Sequence, residues 1–146
     1  MIYALIDLLS TFYQAGNLEQ IEAISRSMLS ATPDDLVALQ FLGLALYQTG
    51  RIDDAYEAFK RVAARASESV NFANPTTCES TATVSYREAI RPGSGLADGW
   101  QKIAQIMTKF GFRKSATSAY EAARTARSSD LELDEVTLGI PQGTVL

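Results

Sequence analysis

The chain has 146 residues, enough for one domain with a sizeable core. Its 47% hydrophobic and 21% charged content suits a soluble globular protein, and a net charge of −4 argues against a nucleic-acid binder. With no histidine and Cys78 as the one cysteine, an internal disulfide, a His/Cys zinc site and a His-dependent triad are all excluded.

Met1-Ile2-Tyr3-Ala4 has no basic residue and no clear small-residue cleavage site follows, so it makes a poor secretory signal and a cytoplasmic location is expected. No apolar run is long enough to span a bilayer. Leu5, Leu8, Leu9 and Phe12, spaced by three and four, form one apolar stripe on a first helix, which Gly16 can end. Thr32-Pro33-Asp34-Asp35 reads as a helix start, with the Thr32 hydroxyl as cap, Pro33 in the first turn and two acids at the positive end. The stripe Leu39, Leu42 and Leu46 follows and stops at Gly50, after which Asp53-Asp54 opens another helix. Residues 70–96 are rich in Pro, Gly, Asn, Ser and Thr. Disorder is the expectation there, with Thr83 to Ile90 able to form a short helix or strand. Trp100, Ile103 and Met107 make a third stripe, stopped by Gly111. The tail, 131–146, does not resemble an amphipathic capping helix.

Gly16 and Gly50 lie 34 residues apart, and Gly50 and Gly111 lie 61 apart, which is one such period plus an insert. Around these glycines three segments align. Leu39, Leu42, Gly43, Leu46, Tyr47, Gly50, Ala55 and Phe59 match Trp100, Ile103, Ala104, Met107, Thr108, Gly111, Ala116 and Tyr120. The same register in the first segment holds Leu5, Leu8, Leu9, Phe12, Tyr13, Gly16, Ile21 and Ser25.

This pattern resembles the tetratricopeptide repeat. The early large residue is Leu39 or Trp100, the small residue at the helix crossing Gly43 or Ala104, the second-helix alanine Ala55 or Ala116, and the following aromatic Phe59 or Tyr120. The first copy departs from it, with Leu9, Ile21 and Ser25 at the last three of those positions. The resemblance implies an all-α fold: a right-handed superhelix of helical hairpins, three repeats with an inserted loop. A domain over 1–130 would hold repeats at about 2–35, 36–69 and 97–130, with the insert at 70–96. It also implies a concave groove lined by the first helix of each repeat. Facing it would be Tyr3, Ile6, Ser10 and Tyr13, then Gln40, Leu44, Tyr47 and Gln48, then Gln101, Gln105, Thr108 and Lys109. Of these, Tyr3, Ile6, Tyr13, Gln40, Leu44, Tyr47, Gln101 and Gln105 are the candidate ligand-binding residues, since aromatics and amides suit a peptide or a helix.

Catalytic constellations, glycine-rich phosphate loops and metal-ligand spacings are absent, so neither an enzyme nor a cofactor is expected. Residues 1–35 hold five acids and one base, and 97–130 hold six bases and three acids. That asymmetry, with uncapped ends, suits homo-oligomers. The expected function is a protein–protein interaction module binding a protein or peptide, with no nucleic acid and no membrane span. The alternatives are an oligomerisation or targeting segment of a larger enzyme and a small secretion-type chaperone.

Overall fold

Three glycines stop a helix in the same way. The computed structural model describes the backbone of residues 2–33, 35–68 and 81–127 and the side chains of 4–33, 35–64 and 86–127. Within it Gly16, Gly50 and Gly111 adopt φ of 75°, 90° and 88°, the left-handed region where a side chain is strained. Each glycine N–H donates to the carbonyl three residues back (Tyr13, Tyr47, Thr108). The next N–H donates to the carbonyl five back, from Asn17 to Phe12, Arg51 to Leu46 and Phe112 to Met107. This pair of bonds satisfies carbonyls that a helix end leaves orphaned. The next helix then starts in the same register, with Ile21, Ala55 and Ala116 donating to Asn17, Arg51 and Phe112. The three turns therefore share one backbone geometry.

The described residues are all helical in their regular structure, with no strand. Around those turns lie α1 (Ile2–Gln14) with α2 (Leu18–Ala31), α3 (Leu36–Gln48) with α4 (Ile52–Glu68), and α6 (Ala97–Lys109) with α7 (113–127). Between the second and third hairpins stands α5 (Thr81–Ile90).

The cap of α3 differs from expectation. Thr32 closes α2, its backbone N–H donating to Met28 O. The start of α3 is capped by Asp35, whose Oδ1 accepts from Val37 N at 3.0 Å and Ala38 N at 3.2 Å. The Asp35 carboxylate sits where it can satisfy two orphan donors of the first turn, so it takes the place assigned to the Thr32 hydroxyl.

Helix α3 is the centre of the molecule. Every residue from Leu36 to Leu46 is buried, because α3 packs against α2, α4, α5 and α6 and has no free side. Its sequence has almost no polar face to offer water, so enclosure is its low-energy state. Gly43 allows a close crossing: a Cβ there would lie 2.8 Å from the Phe59 ring of α4. The first hairpin reverses the sizes, with Leu9 and Ile21 large and Ser25 small, and all three are fully buried. In the third hairpin Ala104 and Ala116 are buried, whereas Tyr120 is exposed.

The second half of the insert is ordered, contrary to the expectation of disorder; residues 70–80 and the tail, 131–146, lie outside the described residues. Helix α5 packs against α1 and α3. Tyr86 and Ala89 are buried and Ile90 is half-buried, an apolar face spaced by three and four that the polar composition hides. A turn at 91–96 then ties three elements together. Ser10 Oγ of α1 donates to Ser94 O at 2.7 Å, Gly93 N–H donates to Ala126 O of α7 at 3.0 Å, and Arg91 Nη2 reaches Asp7 Oδ1 at 3.4 Å. Gly95, at φ 82°, lies so close to α1 that a Cβ would fall 2.4 Å from Ser10 Oγ.

Candidate functional site

A cleft of about 930 Å³ opens where the first helices of the three hairpins end or begin. Tyr13 and Gln14 close α1 on one side, Gln48 ends α3, and Asp98, Gln101, Lys102 and Gln105 form a wall on α6. Gly93 and Gly95 of the turn after α5, Ala126 and Arg127 at the end of α7, and Gly16, Leu18 and Ala97 at helix ends complete it. The α6 wall has a simple local origin. Positions 98, 101, 102 and 105 are spaced by three, one and three, so they share one face, beside the stripe Trp100, Ile103 and Met107 that turns inward.

Four side-chain amides are among the lining residues. Gln14, Gln48, Gln101 and Gln105 each bring a donor and an acceptor, the pairing that a peptide backbone also carries. Gln101 is held by Arg127, whose Nη2 donates to its Oε1 at 2.9 Å and to Asp98 Oδ1 at 3.1 Å. Lys102 Nζ stands 5.8 Å from the centre of the Tyr13 ring, within cation–π range. Burial, helped by the charge of Asp98, pushes the Tyr13 phenol up to about 12, so it is a neutral hydroxyl at physiological pH.

Below the cleft an aromatic chain links the elements. Tyr13 meets Phe41 edge-on at 6.3 Å, Phe41 meets Trp100 at 5.1 Å, and Trp100 meets Tyr86 of α5 at 5.7 Å. Gly99 permits this approach, since a Cβ there would lie 2.7 Å from Phe41 Cε1. A second cluster joins Tyr47, Tyr56 and Phe59 to Phe110.

The eight candidate residues divide. Tyr13, Gln101 and Gln105 line the cleft. Ile6, Gln40 and Leu44 are at most 2% exposed and offer nothing to a partner in this arrangement. The reason is enclosure: α5 and α6 cover α3, and α2 and α5 pack on α1. Tyr47 is half-buried, its ring 5.8 Å from Phe110 and 6.0 Å from Lys109 Nζ. The Tyr3 side chain lies outside the described residues. Gln14, Asp98, Lys102 and Arg127 are cleft residues absent from the candidate set. A signal for Gln14 existed in the repeat register, because Gln14 and Gln48 each stand two positions before a turn glycine.

Among the described residues no group of three or more His, Cys, Asp or Glu could hold a metal ion, and no helix is long and apolar enough to cross a membrane. No protein-family model matches the chain, and no curated protein matches it.

Proposed function

We propose that the chain is a tetratricopeptide-like interaction module that takes an extended peptide in the cleft between α1, α3, α6 and α7. The observation that carries this reading is that four glutamines, from α1, α3 and α6, line one cleft of about 930 Å³. Glutamine amides recognise main-chain N–H and C=O groups with little regard to side chain, and Tyr13 adds apolar area. Lys102 and the Asp98–Arg127 pair set the charge at one wall. Three hairpins with the same turn, two of them with a small residue at the crossing, support the family reading.

The test is an array of synthetic ten-residue peptides probed with the full chain, followed by titration of the strongest binder by fluorescence anisotropy. Replacing Gln101 and Gln105 together with Ala should weaken binding by on the order of tenfold to a hundredfold. Its melting temperature should stay within about 2 °C of wild type, since neither residue is part of the buried core. Unchanged affinity in the double variant would remove the cleft as the binding site.

A further inference from the structure

We infer that the cleft is the seat of residues 130–138 of this same chain, an acidic segment held there as an extended internal ligand with which any outside peptide competes. The inference rests on reading the cleft as peptide-binding, and it adds what occupies it first.

Position, charge and residue pattern support it. Arg127, the last described residue of α7, is itself part of the cleft wall, so the chain beyond it starts at the mouth. Its Nη2 reaches Asp98 Oδ1 and Gln101 Oε1, both within about one turn of Lys102 on α6. Asp130 comes next in the chain after Ser128 and Ser129, about 10 Å of extended backbone from Arg127. The segment therefore meets the α6 wall without a long excursion.

The charges are complementary. Of the ions lining the cleft, Asp98 and Arg127 pair with each other. Lys102 has no carboxylate partner among the described residues, and its amine stands over the Tyr13 ring. The stretch 128–146 carries four acids, Asp130, Glu132, Asp134 and Glu135, and no base. Charge of this kind sets direction and register more than affinity.

The pattern suits an extended ligand. From Asp130 to Asp134 acids and leucines alternate. Successive side chains of an extended chain point to opposite sides, so Asp130, Glu132 and Asp134 share one side and Leu131 and Leu133 the other. The acids then meet Lys102, the leucines meet Tyr13 and Leu18, and the four glutamines meet the main chain. A short tether raises the local concentration of such a segment to the millimolar range, so modest intrinsic affinity keeps the cleft filled.

The test is zero-length carbodiimide cross-linking of the full chain, which condenses an amine with a touching carboxylate and releases the elements of water to the reagent. Heavy-nitrogen-labelled and unlabelled chains are mixed in equal parts and the products read by mass spectrometry. Lys102 should be joined to Asp130, Glu132, Asp134 or Glu135 within one isotope population. The link should weaken severalfold in the Gln101→Ala, Gln105→Ala double variant. Neutralising the segment as Asp130→Asn, Glu132→Gln, Asp134→Asn, Glu135→Gln should tighten the strongest array peptide by on the order of tenfold. Links from these acids only to lysines off the cleft, such as Lys60 or Lys114, would overturn the inference. So would links found only between labelled and unlabelled chains, no link to Lys102, an unchanged yield in the double variant, or unchanged peptide affinity in the neutral one. An array binder that depends on Gln101 and Gln105 without any Lys102 link would leave the cleft as a peptide site and remove its internal ligand, so the two readings fail separately.

Discussion

Helices α3 and α5 touch each other, yet they belong to different parts of the energy landscape. In α3 an unbroken apolar sequence is enclosed on all sides, and even Gln40 is 2% exposed. Among the described side chains of α5, Tyr86 and Ala89 are buried and Ile90 is half-buried, while Arg87 faces solvent. A helix buried all round cannot leave without dismantling its neighbours. Position in the contact network thus sets local stability more than helix formation does.

The strongest way to break the comparison is to truncate an aromatic residue of α3. Phe41 is fully buried between Tyr13 and Trp100, so Phe41→Ala should cost about 3–5 kcal/mol and lower the melting temperature of the whole chain. Thermal melts followed by circular dichroism check this. A loss confined to α5 would mean that α3 is not the centre of stability.

A pH titration should act on α5. Burial, with the charge of Glu121 adding to it, raises the Tyr86 phenol from 10.0 to about 12. The folded state keeps its proton where the unfolded state loses it, so this contribution is complete below pH 10 and disappears as pH rises toward 12. The shift corresponds to roughly 2–3 kcal/mol of preference for the neutral form. Trp100 emission should therefore change between pH 10 and 12. Tyr13 titrates in the same window, so Tyr86→Phe sharpens the assignment by removing only the α5 part.

At the α3–α4 crossing, Gly43→Ala should cost about 2 kcal/mol. The new methyl would meet the buried Phe59 ring at 2.8 Å, which outweighs the helix propensity gained. Urea denaturation measures it, and a neutral or stabilising result would show that the crossing has slack. Gly50→Ala, at the exposed end of the same helix, should cost only about 1 kcal/mol. Open space surrounds that position, so the penalty is the left-handed backbone alone. A cost equal to that of Gly43→Ala would mean that crowding is not what separates the two sites.

Part of the cleft lining was legible in the sequence, and the buried candidates share one cause. Tyr13, Gln101 and Gln105 follow from the repeat register and reach the cleft. Ile6, Gln40 and Leu44 occupy equally good register positions, yet α5 and α6 close over the helices that bear them. Arg127 enters the site by bonding to Asp98 and Gln101, almost a full repeat away in sequence. No local pattern announces that pairing.

By itself the sequence determined the hairpins, because their causes are local: a glycine that accepts positive φ and an apolar stripe spaced by three and four. Only the tertiary structure decided where α5 goes and which groove residues stay open. Those outcomes depend on contacts such as Ser10 with Ser94 and Asp7 with Arg91, each 84 residues apart in sequence. Bonds of that reach form only after packing has brought the chain together, so nothing in a short window of sequence encodes them.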